Sequence, residues 1–83
     1  MASITIESRK TIGDNIRRIR EASPLGVTEL AEQANISRVY WYEVERGEVN
    51  VTIDNLSAIA KALKVSVRDL LTEPSKPQRK TGT

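Results

Sequence analysis

Apolar residues recur along this chain at the spacing that brings them onto one face of a helix. Ile12, Ile16 and Ile19 lie at i, i+4 and i+7, which predicts a helix that begins after Thr11. This helix should end at Ser23, because the proline that follows disfavours helical backbone at the residue before it. No apolar run approaches the roughly 20 residues of a membrane span, so no membrane segment is expected.

Four shorter helices are predicted after the first, and most of them are flanked by residues that suit helix ends. Their predicted ranges are 27–34, 38–46, 53–63 and 67–72. Residues that cap helix N-termini precede three of them, namely Ser37, Thr52 and the pair Ser66 and Asp69. Residues that tolerate left-handed backbone follow the second and third helices, namely Asn35 and Gly47. The pattern predicts an all-α fold of five helices.

The helical pattern bounds one compact domain at residues 11–73, which is what a chain of 83 residues can hold. Residues 1–10 are predicted to form a flexible N-terminal arm. Ile4 and Ile6 alternate with polar residues there, so a loose terminus and a short strand both remain open. Residues 74–83 are polar and contain two prolines, which predicts a disordered basic tail.

All three aromatic residues of the chain are adjacent, at positions 40–42 within the third predicted helix. Successive helical residues are rotated by about 100°, so these rings cannot share one face. Trp41 falls on an inward stripe with Val44, and Tyr40 falls at its border. The outward stripe holds Arg38, Val39, Tyr42, Glu43 and Arg46. This mixture of a planar cation, a carboxylate, a phenol and a small apolar group indicates a binding surface.

Composition removes several classes of function. The chain has no cysteine and no histidine, which excludes a disulfide scaffold, thiolate or imidazole metal sites and nucleophiles that need a histidine base. No paired carboxylate site is evident, so neither an enzyme nor a bound metal, cofactor or small-molecule substrate is expected. Residues 1–73 carry a net charge of −1 and residues 74–83 carry +3. A nucleic-acid surface would therefore have to come from local clustering of charge.

Four stretches of sequence stand at a characteristic spacing: IRRIR at 16–20, ELAEQANIS at 29–37, ERGE at 45–48 and LSAIAKALKVSVRDLL at 56–71. Together they resemble the Cro/repressor-type helix-turn-helix family, also called the XRE family. The resemblance covers residues 12–73 without a gap. It implies a repressor-like domain whose second and third helices form the helix-turn-helix, with the third helix in the major groove of double-stranded DNA.

The resemblance also implies which side chains read bases. The positions carried over are Ser37, Arg38, Val39 and Glu43, with Tyr42 beside them. Arg38 can donate two hydrogen bonds to guanine, Glu43 can accept one from cytosine, and Val39 can pack on a thymine methyl group. Alternatives remain open, since Arg38 could contact phosphate instead. Glu43 could be a solvated charge or pair with Arg46.

Further positions are expected to support this helix or to hold the DNA backbone. The expected phosphate contacts are Arg17 or Arg18, the Gly26, Val27 and Thr28 amides, Tyr40, Arg46 and Asn50. The family also carries a buried ion pair, which falls here on Arg20 and Glu45.

The chain departs from the family pattern at several positions. Gly26 and Val27 replace a common Thr-Gln, which removes a side-chain cap and a glutamine amide, so Thr28 could shift the start of the second helix inward. Lys64 replaces a glycine that usually ends the fourth helix, which predicts left-handed backbone at a lysine. Trp41 replaces a smaller aliphatic residue in the core.

The expected function is a cytoplasmic transcriptional regulator, most simply a homodimeric repressor that binds a palindromic operator. The candidate dimer surface is the fifth helix with Val65, Val67 and Leu71, although these residues could instead complete the core of the monomer. The alternative function is a protein-interaction module, antitoxin-like or a coregulator, that binds operators weakly or not at all. A regulatory protein partner is compatible with either function.

Overall fold

The computed structural model of the protein describes residues 6–72, without the side chains of residues 6 and 7, and this part of the chain is built from helices alone. The five helices are α1 (Ile6–Glu21), α2 (Val27–Ala34), α3 (Arg38–Glu45), α4 (Ile53–Leu63) and α5 (Val67–Leu71). This confirms the predicted all-α fold. None of these helices combines the length and the apolar character needed to cross a bilayer.

The first helix corrects one predicted boundary. It begins at Ile6, so residues 6–10 continue α1 instead of belonging to an arm. The two alternating isoleucines were too short a pattern to define this segment. Contacts with distant residues hold it instead: the backbone of Lys10 lies against Gly47, and Arg9 donates a hydrogen bond to Asn50 Oδ1 at 3.3 Å. Residues 1–5 and the predicted tail at 74–83 lie outside the described residues.

The N-termini of α3, α4 and α5 are capped by the predicted side chains. The hydroxyls of Ser37, Thr52 and Ser66 each accept a hydrogen bond from the backbone three residues ahead, at 3.0–3.2 Å. Asp69 also accepts from the Ser66 amide at 3.0 Å, which completes the predicted capping box. Hydrogen bonds from Ser66 lower the pKa of Asp69. These caps satisfy amide groups that the helices leave without a partner.

The turns after α2, α3 and α4 use left-handed backbone at the predicted places. Asn35, Gly47 and Lys64 have φ angles of 60°, 71° and 63°. Lys64 confirms that a non-glycine residue takes this conformation where the family commonly has glycine. Three helices end earlier than predicted: α1 ends at Glu21 instead of Ser23, and α3 and α5 each end one residue early, at Glu45 and at Leu71.

A single core lies between α1, α2, α3 and α4, and α5 closes it from one side. Helix α2 packs on α4, and α1 packs on both α3 and α5. Seven large apolar side chains are almost fully buried in this core: Ile12, Ile16, Leu30, Trp41, Leu56, Ile59 and Leu70. The large indole therefore occupies the centre of the core, as the position of Trp41 on the inward stripe predicts.

A candidate nucleic-acid interface

The outward stripe of α3 is presented to solvent. Arg38 and Tyr42 are exposed, and 67% of the Val39 surface is accessible. Within residues 6–72 the Arg38 guanidinium takes part in no ion pair or side-chain hydrogen bond. Ser37 is exposed at the start of the helix, whereas Glu43 is half-buried. The surface thus offers an uncommitted planar cation beside an apolar group and a phenol ring.

A buried network fixes the other end of α3. The Glu45 carboxylate accepts hydrogen bonds from Arg20 Nε at 2.5 Å and Arg20 Nη2 at 3.0 Å. Its Oε2 atom also accepts from Trp41 Nε1 at 2.7 Å. The hydrogen bond to Glu45 is the main cause that raises the pKa of Arg20. The predicted ion pair is therefore present, and it joins α1 to α3 beneath the outward stripe.

The indole contact is a feature that the sequence reasoning missed. It predicted Trp41 as a core residue and Glu45 as the partner of Arg20, without joining the two. The signal was available, because residues four apart on a helix are neighbours and a buried indole N–H needs an acceptor.

Helices α1 and α3 meet at a glycine that the sequence reasoning did not single out. A Cβ atom at Gly13 would collide with the Glu45 carbonyl oxygen and would lie 2.6 Å from that of Val44. Both approaches are far closer than van der Waals contact, so no other residue fits here without separating the helices. Gly13 brings the backbone of α1 against the C-terminal end of α3 and so helps set the distance between these two helices.

The structure separates the two arginines that were predicted as alternative phosphate contacts. Arg17 lines a groove between α1 and α3 together with Tyr42 and Arg46. Arg18 instead lies beside α5, where it lines a different groove with Thr72 and donates to Asn15 Oδ1 at 3.0 Å. Only Arg17 is adjacent to the outward stripe, because successive residues of a helix point about 100° apart.

Asn15 is a second residue that the sequence reasoning missed. Its side chain is fully buried and donates to the carbonyl oxygens of Leu70 at 2.8 Å and Thr72 at 2.7 Å. These are carbonyl groups that the C-terminus of α5 leaves without helical partners. Asn15 therefore ties α5 to α1. An asparagine next to Ile16 on the apolar stripe was the available signal.

Arg46 forms an ion pair, but its partner is not Glu43, the residue considered from the sequence. It donates to Glu48, from Nε to Oε2 at 2.9 Å and from Nη2 to Oε1 at 3.1 Å, and not to Glu43. Both side chains are about half exposed. The hydrogen bond is the main cause that raises the pKa of Arg46 and lowers that of Glu48. Arg17 is similarly paired with Glu21 at 3.2 Å.

The remaining predicted phosphate groups are also partly engaged. The Gly26 amide donates to Glu29 Oε1 at 2.9 Å, and the helix begins at Val27, so the expected inward shift toward Thr28 does not occur. The Val27 side chain is buried and leaves only its backbone for binding. Tyr40 is half-buried, and its hydroxyl accepts from Asn55 Nδ2 at 3.2 Å, which leaves the phenolic proton to donate.

The candidate dimer residues divide between two environments. Val65 and Val67 are half-buried and pack against the core, whereas 49% of the Leu71 surface is accessible. Ile53, at the start of α4, is a further exposed apolar residue. In residues 6–72, no group of acidic side chains is arranged to hold a metal ion.

Comparison with known proteins gives relatives over most of the chain. A family model described as a helix-turn-helix domain matches residues 11–73. The control protein C.SmaI of Serratia marcescens is 39% identical over 67 residues, which cover 81% of this chain and 80% of that protein. The immunity repressor protein of Bacillus phage phi105 is 38% identical over 63 residues, which cover 76% of this chain and 44% of the repressor.

A solved structure shares the arrangement of helices. The restriction-modification controller protein C.AhdI from Aeromonas hydrophila superimposes with a TM-score of 0.73 at 33% sequence identity. The superposition covers 77% of this chain and 97% of that chain. The sequence comparison and the comparison of folds thus both relate this chain to helix-turn-helix regulators.

Proposed function

The chain belongs to the helix-turn-helix family of DNA-binding transcriptional regulators, and from this premise we propose that it acts as a homodimeric repressor of a palindromic operator. Helix α3 enters the major groove, and its outward stripe reads base edges. The proposal includes a cytoplasmic protein without catalytic activity, regulated through its own concentration or through a protein partner.

One observation carries the proposal. Arg38 is exposed and unpaired within residues 6–72, at the N-terminal end of a helix whose other end is fixed by a buried network. N-terminal residues of a recognition helix are the ones that reach base edges in this class of domain. A guanidinium held there can donate two parallel hydrogen bonds to guanine O6 and N7. Val39 and Tyr42 add apolar contacts, and Ser37 and Glu43 complete the reading surface.

The DNA backbone is held by residues around α3. We assign phosphate contacts to the side chains of Arg17, Arg46, Tyr40 and Asn50. The Val27 and Thr28 amides at the start of α2 can donate hydrogen bonds to a further phosphate, because the first amides of a helix have no helical partner. These contacts orient the domain without reading sequence.

A dimer would compensate for the small net charge of the domain. Residues 1–73 have a net charge of −1, so one domain gains little from non-specific attraction to DNA. Two copies that read half-sites about 34–36 Å apart would combine their contacts. Leu71 is the exposed apolar residue of α5 and the centre of the proposed dimer surface.

Selection from a library of random duplexes tests this function. The proposal expects an enriched motif with two-fold symmetry, and an affinity for it that falls steeply as salt rises. An enriched single half-site would remove the dimer from the proposal. Absence of any duplex binding at low salt would contradict the function and favour the protein-interaction module.

A further inference from the structure

The groove between α1 and α3 is crowded with opposite charges. It has a volume of about 660 Å³, and we call it the α1–α3 groove; its exposed rim includes Arg17, Glu21, Tyr42, Arg46 and Glu48. Both arginines of this rim are assigned to DNA phosphates in the proposed function. Each of them already forms an ion pair with a carboxylate of the same chain.

The geometry of these pairs resembles the contact that a phosphate would make. Arg46 presents Nε and Nη2 to the two oxygens of Glu48 at 2.9 and 3.1 Å, as two parallel hydrogen bonds. Phosphate groups accept from the same guanidinium edge in the same way. Glu48 reaches Arg46 across Gly47, whose left-handed φ of 71° makes the sharp turn. The pair is therefore local to the rim and ties no two helices together.

Exposure makes the two pairs exchangeable. Between 53% and 64% of each side chain in them is accessible, and ion pairs at such sites contribute little to stability. Removing a buried partner would leave an orphaned charge, but these arginines can return to water without that penalty. A phosphate could therefore replace either carboxylate without disturbing the fold.

A third carboxylate shows the same relationship at a separate place. Glu29 accepts from the Gly26 amide at 2.9 Å, at the start of α2, where another phosphate contact is expected. By contrast, Arg38 of the reading stripe is unpaired within the described residues. Carboxylates of this chain thus accept hydrogen bonds from groups that could bind DNA phosphates. They leave Arg38, which could bind bases, uncovered.

We propose that Glu48 and Glu21 act as internal substitutes for phosphate, which occupy Arg46 and Arg17 in the free protein and are displaced by the DNA backbone. This inference rests on the proposed function. The exchange lowers affinity for every duplex alike and leaves the preference between sequences unchanged. A single domain is held below the affinity needed for stable binding, so occupancy depends on two half-sites.

Charge-neutral variants test the exchange by fluorescence anisotropy at low salt. Glu48→Gln is expected to tighten binding about two- to five-fold per subunit, the range that an exposed ion pair allows. The gain should be equal for the selected operator and for a scrambled duplex, and it should shrink as salt screens the charges. Glu21→Gln should act in the same direction through Arg17, with a smaller gain because its contact is longer.

A double-mutant cycle distinguishes exchange from simple repulsion. If Glu48 acts by occupying Arg46, then Glu48→Gln produces no gain in an Arg46→Ala background. Glu32→Gln is a matched control, because Glu32 is exposed on α2 and forms no ion pair within residues 6–72. Its effect on affinity should be well below that of Glu48→Gln.

The outcomes separate this inference from the function on which it rests. If the unaltered protein binds no duplex, the proposed function fails. If it binds DNA but Glu48→Gln leaves affinity unchanged, the exchange is contradicted. It is equally contradicted if the gain persists without Arg46, or if Glu32→Gln gives the same gain. Thermal melts of each variant confirm that the compared proteins are folded.

Discussion

Glu45 and Arg46 are neighbours in sequence, yet their ion pairs have opposite properties. The Glu45 side chain is 5% exposed and joins α1 to α3 through Arg20, with Trp41 as a second donor. The Arg46 side chain is 54% exposed and pairs with Glu48 two residues ahead. A rotation of about 100° along the helix separates a buried network from a solvent-facing one.

The difference shows how one motif, ERG, divides two tasks between adjacent residues. The buried pair sets the position of α3, since a carboxylate without its partner is costly in the interior. The exposed pair contributes little to stability, so its arginine is available to a ligand. Substitutions at the two sites should therefore separate effects on folding from effects on binding.

The largest expected effect comes from breaking the buried pair. Arg20→Ala should lower the free energy of unfolding by about 3–5 kcal/mol, because it leaves Glu45 buried without its cation. Denaturant unfolding measures this loss. Arg17→Ala, which breaks an exposed pair on the same helix, is the control and should stay within about 0.5 kcal/mol of the unaltered protein. Equal losses in both variants would erase the distinction between buried and exposed pairs.

A methyl group at the contact between α1 and α3 should also have a large effect. Alanine usually stabilises a helix interior relative to glycine by about 1 kcal/mol. Gly13→Ala should instead destabilise by about 1–3 kcal/mol, since its Cβ would collide with the carbonyl oxygens of Val44 and Glu45. Gly26→Ala is the control, because its nearest contact would be an ordinary 3.5 Å. A more stable Gly13→Ala protein in thermal melts would refute the close approach.

Removing only the indole N–H donor separates the contribution of Trp41 to the buried network from that of Arg20. Trp41→Phe keeps an aromatic ring in the core but removes the hydrogen bond to Glu45. The free energy of unfolding should fall by about 1.5–3 kcal/mol, as expected for a lost hydrogen bond to a charged group. Combining this change with Arg20→Ala in a double-mutant cycle measures whether the two donors act together. Additive losses would mean that the two donors act on Glu45 independently of each other.

The local signals in the sequence were sufficient to predict most of the fold. The isoleucine spacing of α1 and the hydroxyl caps at Ser37 and Thr52 describe interactions within a few residues, and the structure confirms them. The N-terminal boundary was wrong because tertiary contacts, not local pattern, hold residues 6–10 in α1. The family pattern supplied the Arg20–Glu45 pair, which spans 25 residues and leaves no periodic signal.

The candidate site was predictable in its direction but not in its details. Helical geometry placed Arg38, Val39 and Tyr42 outward, and all three are exposed. Periodicity could not show that Arg46 bonds to Glu48, because that contact depends on the turn at Gly47. Nor could it show which way neighbouring arginines of α1 face relative to α3. Those features arise from the packing of whole helices.

Substitution of the exposed Arg38 tests whether α3 reads the DNA sequence. Arg38 is uncommitted within residues 6–72, so Arg38→Ala should leave the free energy of unfolding within about 0.5 kcal/mol. It should reduce the preference for a selected operator over a scrambled duplex by about 1–3 kcal/mol per half-site. Arg17→Ala, the matched control, should weaken binding to both duplexes alike.

Anisotropy titrations of the unaltered protein and these two variants against both duplexes measure that preference most directly. We expect preference to fall for Arg38→Ala and to be unchanged for Arg17→Ala. If Arg38→Ala weakened binding to both duplexes equally, Arg38 would be a phosphate contact, and the outward stripe of α3 would not read bases through it.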